Sequence, residues 1–133
     1  MEQVSKLRLS RITKNINLII PFYRDGLGFE ILDRGEGVDG VDSVLLGHKD
    51  WPYQFEFVQI RGANDTPRAP AETYRVFCIE DEAIWKRILE SCYEAGFPQV
   101  TPPPQYVSAK WPSVAYQDAD GYLVVLIKGR WKK

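Results

Sequence analysis

The chain has 133 residues, the size of one domain with enough length to bury a core. Its 17 basic and 18 acidic residues give a formal net charge of −1, with no block of like charge. This balance argues against nucleic acid and anionic membrane as partners.

The first six residues lack a basic segment followed by an apolar run, so no signal peptide is predicted. The longest apolar stretch, residues 18–23, is too short to span a bilayer. Cys78 and Cys92 have no motif spacing and are expected to be reduced thiols. We therefore expect a cytoplasmic protein.

The first half of the chain predicts one helix and four strands. In chain order these are a strand over 6–13, a helix over 15–25, and strands over 29–33, 41–46 and 53–58. Pro21 predicts a kink or an early end of the helix. The Gly- and Asp-rich residues 35–40 predict a connection.

The second half repeats this order. It predicts a strand over 73–80, a helix that begins after Asp81 as N-cap, a strand over 97–101, and a hairpin over 116–127. The hairpin is expected to turn on two residues, Asp120 and Gly121.

The two halves correspond as a duplicated unit. Gly-Phe closes the apolar helix of each half, at Gly28-Phe29 and at Gly96-Phe97, about half the chain apart. We predict one α+β domain of two βαβββ modules, about 1–61 and 72–133, with a linker at about 62–71. One helix for four strands predicts a curved mixed β-sheet around a central cleft, with the helices on the outer face.

Several stretches, covering nearly the whole chain, resemble the vicinal oxygen chelate superfamily, which includes glyoxalase I, bleomycin-resistance proteins, fosfomycin-resistance thiol transferases and extradiol dioxygenases. They are residues 7–23, the run Phe-Tyr-Arg-Asp-Gly-Leu-Gly-Phe-Glu at 22–30, Gln-Phe-Glu-Phe at 54–57, and Asp-Ala-Asp-Gly-Tyr at 118–122. The resemblance implies the fold more strongly than the reaction, because this scaffold hosts several chemistries.

The resemblance also implies four positions at which metal-dependent members hold their ion. In this chain these positions carry Arg8, Glu56, Tyr74 and Val125, so only Glu56 matches. Arginine cannot be deprotonated to ligate a cation, valine has no lone pair, and a tyrosine ligand requires a phenolate. A shift of register would bring in Ser10, Gln54 or Val124, none of which restores a full set. A metal of the glyoxalase kind is therefore not expected, and no other cofactor is predicted.

The leading hypothesis is a metal-independent small-molecule binder of the bleomycin-resistance type, and the resemblance implies a homodimer. The predicted ligand-binding residues are Arg8, Gln54, Glu56, Tyr74, Tyr106 and Trp111. One alternative is a lyase, thiol transferase or dioxygenase-like enzyme that uses a divalent metal through Glu56. A module that binds no ligand is the third hypothesis.

Two of these assignments have a structural explanation as well. Arg8 and Glu56 are expected to face one cavity as an ion pair, which either neutralises its floor or leaves Arg8 to hold a carboxylate or phosphate. The aromatic residues suit either a ligand wall or the core of a small fold. His48 is the only histidine, and without a partner motif it is not expected to be catalytic.

Overall fold

The protein was studied as a computed structural model, which describes residues 6–62, 74–107 and 110–129. Backbone proximity divides the chain into two compact units, Met1–Pro67 and Arg68–Lys133. The predicted linker, residues 62–71, lies almost wholly outside the described residues, so the module boundaries stay predictions.

The first unit has a four-stranded mixed sheet with strand order β1-β4-β3-β2. Its elements are β1 (Leu7–Ile12), α1 (Ile16–Pro21), β2 (Glu30–Val38), β3 (Val41–Gly47) and β4 (Tyr53–Ile60). β1 and β4 are parallel, and the other two pairs are antiparallel.

The second unit has a three-stranded mixed sheet with strand order β5-β7-β6. Its elements are β5 (Tyr74–Ile79), α2 (Glu82–Glu94), β6 (Ser113–Gln117) and β7 (Leu123–Lys128). The predicted strand over 97–101 is reduced to a bridge, in which Val100 N donates to Ala115 O at 2.8 Å. Pro102, Pro103 and Pro104 follow at once, and they cannot donate to a strand ladder.

The α+β fold with two modules is confirmed. Each unit begins with a strand and a helix, and its first and last strands pair in parallel: β1 with β4, and β5 with β7. This repetition agrees with the duplication that the Gly-Phe pairs indicate. Gly28 and Gly96, with φ of +82° and +83°, occupy the left-handed conformation that ends each helical segment.

Both helices begin as the sequence predicts. The Asn15 side chain accepts a hydrogen bond from Asn17 N, and the Asp81 side chain accepts one from Ile84 N at 3.0 Å. After Pro21 the first helix widens into a π-helical turn over Phe22–Gly26. Leu27 N donates to Phe22 O at 3.0 Å, and this hydrogen bond between residues five apart is the one that defines a π-helical turn.

Two local predictions are wrong. Residues 35–38 belong to β2 and not to a connection, because the tight turn lies at Asp39 and Gly40, with φ of +53° and +75°. Asp120 and Gly121 are not a two-residue hairpin: the connection between β6 and β7 runs over 118–122. The helix α2 buries Trp85, Ile88 and Cys92, and its apolar residues Ile84 and Tyr93 are exposed.

Buried Asp118 explains the longer connection. Its Oδ1 accepts hydrogen bonds from the backbone N–H groups of Asp120 and Tyr122, both at 3.0 Å. A carboxylate that accepts local N–H donors stabilises a turn.

Aromatic side chains fill the core of the first unit on the side of the sheet that carries α1. The Tyr23 ring lies 5.1 Å from Phe57 and 6.2 Å from Phe55, and all three side chains are buried. Because side chains alternate along a strand, the even-numbered residues of β4 point to the opposite side. We call that side the helix-free face.

Candidate functional site

The helix-free face places three of the predicted ligand-binding residues together. In the parallel pairing of β1 with β4, Arg8 lies opposite Gln54 and Ser10 lies opposite Glu56. Arg8 Nη1 is 3.6 Å from Glu56 Oε2, which is an ion pair but longer than a hydrogen bond. The predicted pairing of Arg8 with Glu56 is confirmed.

Ser10 is a member of this cluster that the sequence reasoning missed as a site residue. Its hydroxyl donates to Glu56 Oε1 at 2.7 Å, so each carboxylate oxygen has a neighbouring donor. The signal was available: Ser10 is two residues after Arg8 on one strand and therefore shares its face. Only the parallel register, however, places it beside Glu56.

Exposure distinguishes the two charged partners. The Arg8 side chain is 55% exposed and the Glu56 side chain 26%. An exposed ion pair of this kind contributes about 1 kcal/mol or less to folding. The Arg8 guanidinium has five N–H donors, and one of its nitrogens makes the 3.6 Å contact with Glu56. A molecule that arrives from solvent therefore contacts Arg8 before Glu56.

The residues of this face do not fit a divalent metal of the glyoxalase kind. Glu56 has Ser10 as its neighbour on β1 and Leu45 on β3, and a guanidinium within 4 Å repels a second cation. At the equivalent positions of the second unit, β5 carries Tyr74 and β7 carries Val125, which is fully buried. In the described part of the chain, no three His, Cys, Asp or Glu side chains come together as a metal-binding group.

The predicted aromatic residues lie in the second unit. The rings of Tyr74 and Tyr106 meet edge to face with centroids 6.1 Å apart. Trp111 packs closely on Gly129, where a Cβ would lie 2.3 Å from its ring, and Lys110 Nζ is 5.6 Å from its centroid. Tyr74 and Tyr106 are therefore brought together, and Trp111 has a packing role at the end of β7.

His48 belongs to an aromatic cluster at the start of β4. Its ring is 3.9 Å from Trp51 and 6.4 Å from Phe29, centroid to centroid, and its Nδ1 is 3.7 Å from Glu30 Oε1. Tyr53 stacks on Trp51 at 5.1 Å, and burial raises the pKa of its phenol. These contacts describe packing of the His48 ring among its aromatic neighbours.

The chain shares its fold with solved structures of glyoxalase and fosfomycin-resistance proteins, so the predicted resemblance to the vicinal oxygen chelate superfamily is confirmed at the level of the fold. Residues 7–58 match the family described as the YycE-like N-terminal domain. The uncharacterised protein YycE of Bacillus subtilis (strain 168) is 25% identical over 128 residues, which are 96% of this chain and 91% of that protein.

Solved structures agree in fold. A YycE protein of unknown function from Bacillus subtilis, described as a candidate glyoxalase/fosfomycin resistance protein, has a TM-score of 0.84 at 24% identity, over 98% of this chain and 94% of that one. The trypanothione-dependent glyoxalase I of Leishmania major has a TM-score of 0.68 at 17% identity, over 96% and 87%. The fosfomycin resistance protein FosX of Mesorhizobium loti has 0.64 at 14%, over 98% and 94%.

The described residues contain no helix that is both long and apolar enough to cross a membrane.

Proposed function

We propose that this protein is a metal-independent small-molecule binder of the glyoxalase/bleomycin-resistance type, whose ligand lies on the helix-free face of the first sheet. We further propose that it acts in the cytoplasm as a homodimer. The observation that carries the proposal is that the Glu56 carboxylate already has two partners within the protein. This carboxylate, the one matching ligand position, is engaged by the Ser10 hydroxyl and faces the Arg8 guanidinium.

The charges explain why this site suits an organic ligand better than a metal. A divalent cation bound at Glu56 would have to displace a hydrogen bond of 2.7 Å and tolerate a positive charge 3.6 Å from the same carboxylate. An organic ligand can reach the exposed guanidinium without displacing the Ser10 hydrogen bond. It meets the exposed guanidinium together with Gln54, the polar side chain opposite Arg8.

The test is the metal content of the purified protein, measured by elemental analysis before and after incubation with zinc, manganese, nickel and iron. We expect less than stoichiometric metal, and the same content in Glu56→Ala. Backbone amide NMR spectra recorded with a library of small molecules should then show shifts centred on β1 and β4.

The opposite outcome has a clear meaning. Stoichiometric metal that Glu56→Ala removes would overturn the proposal in favour of a lyase, thiol transferase or dioxygenase-like enzyme. A library that shifts no amide of β1 or β4 would overturn it in favour of a module that binds no ligand there.

A further inference from the structure

The helix-free face is polar at one end of its strands and apolar at the other. At one end lie four polar side chains, the polar end: Arg8, Ser10, Gln54 and Glu56. Farther along the same strands lie four aliphatic side chains, the apolar end: Ile12, Val58, Ile60 and Val41. Pairing places Ile12 beside Val58 and Ile60 beside Val41. The aliphatic side chains therefore extend over β1, β4 and β3, with polar Ser43 of β3 on the other side of Val58.

The apolar end is open to solvent. Ile12, the last residue of β1, is 42% exposed, and Ile60, the last residue of β4, is 44% exposed. Two large aliphatic side chains exposed on one sheet face, with apolar neighbours, are typical of a surface that buries something. Four residues along β1 separate Arg8 from Ile12, a span of about 13 Å.

We propose that this face binds an amphipathic small molecule, with an oxyanion on Arg8 and an apolar chain along Ile12, Val58 and Ile60. The inference rests on the proposed function and names the ligand class for it. Arg8 supplies paired donors that match a carboxylate, phosphonate or phosphate, and the Ser10 hydroxyl already holds one oxygen of Glu56.

The negative charge nearest to Arg8 is that of Glu56, which lowers the affinity of the face for an anion without blocking the exposed guanidinium. Glu56 is the less exposed partner of Arg8, and its Oε1 is shielded by the Ser10 hydroxyl. Asp33 of β2, opposite Leu45, lies two strands from Glu56, at roughly 10 Å, where salt screens much of its effect. A cationic head group would instead meet the exposed guanidinium.

The experiment titrates a homologous series of carboxylates, from acetate to octanoate, against the purified full chain by calorimetry and backbone NMR. Octyl phosphonate tests the oxyanion, and octan-1-ol and octylammonium are the neutral and cationic controls. We expect octanoate and octyl phosphonate to bind more tightly than both controls. Affinity should rise about two- to fourfold for each methylene added.

Two variants and one control test which part of the ligand each end of the face binds. Arg8→Gln should weaken octanoate by about tenfold or more and leave octan-1-ol unchanged. Ile60→Ser should flatten the dependence on chain length. Arg11→Gln is the matched control, because it removes the same charge from β1 on the other side, where the Arg11 guanidinium lies 4.9 Å from the Phe57 ring.

The results that would contradict this ligand class differ from those that would contradict the proposed function. Equal loss of octanoate affinity in Arg8→Gln and Arg11→Gln, or tighter binding of octylammonium, would overturn the amphipathic anion while leaving a binder of another ligand class. Metal bound through Glu56 would overturn the proposed function, and that is measured without any organic ligand. All three variants change exposed or half-exposed side chains, and thermal unfolding checks that each is folded.

Discussion

At the scale of single residues, Glu56 has opposite meanings in the two functional hypotheses. A metal site requires its negative charge as a ligand. In the proposed anion site the same charge competes with the ligand for Arg8, at 3.6 Å. One substitution therefore separates the two hypotheses by the sign of its effect.

Glu56→Gln should strengthen octanoate binding severalfold, because removing the carboxylate charge leaves the Arg8 guanidinium to the ligand while the amide oxygen still accepts from Ser10. Calorimetry of the variant beside the wild type measures the change. Asp42→Asn is a matched control, since it removes a carboxylate whose pKa is lowered mainly by its hydrogen bond with Arg61, away from this cluster. Weaker octanoate binding in Glu56→Gln than in Asp42→Asn would contradict the role assigned to Arg8.

At the scale of elements, a buried thiol and a buried phenol join α2 to β6. Cys92 of α2 is fully buried, and burial raises the pKa of its thiol from 9.0 to about 11. Burial, with the nearby Cys92, also raises the pKa of Tyr116 to about 12. Both groups are thus kept neutral in the folded protein at pH values where they would ionise in the unfolded chain.

The sign of the pH effect follows from this. The stability due to a raised pKa is fully present below the unfolded value of 9.0 and is lost as the pH rises through about 11. Between pH 9 and 11 the wild type should lose about 2 kcal/mol more free energy of unfolding than Cys92→Ala, which has no thiol to ionise. Urea unfolding at several pH values measures both slopes, and parallel slopes would show that Cys92 ionises equally well in the folded state.

Helices and strands were more predictable than the connections between them, because local sequence signals indicate them. Alternation on β4 and the cap at Asp81 are local signals, and both are present in the structure. The length of β2 was missed because Gly35 indicates a loop. In the sheet, a Cβ at Gly35 would lie 2.8 Å from Ser43 Oγ on the neighbouring strand, so glycine there serves close packing.

At the scale of the whole molecule, the proposed homodimer interface and the proposed ligand are two candidate occupants of the exposed apolar surface. The dimer is proposed from the resemblance, and the helix-free face is assigned to a small molecule. We therefore expect Ile60→Ser to have the same sedimentation mass as the wild type, twice that of one chain, over a range of concentrations. A wild-type dimer that Ile60→Ser converts to monomer would identify a second copy of the chain as the occupant of this face.

The sequence by itself determined the α+β class, the two repeated modules and the beginnings of both helices. These follow from periodicity, capping residues and side-chain chemistry, which are local properties, and from the superfamily resemblance. Tertiary structure decided which side chains meet. Ser10 and Glu56 are 46 residues apart in the chain, and only the parallel register of β1 with β4 brings the hydroxyl to 2.7 Å from the carboxylate. Register also places Ile12 and Ile60 on the same face as Arg8. The register itself is set by the opposite face of the sheet, where Phe55 and Phe57 are buried, and not by the residues that line the site.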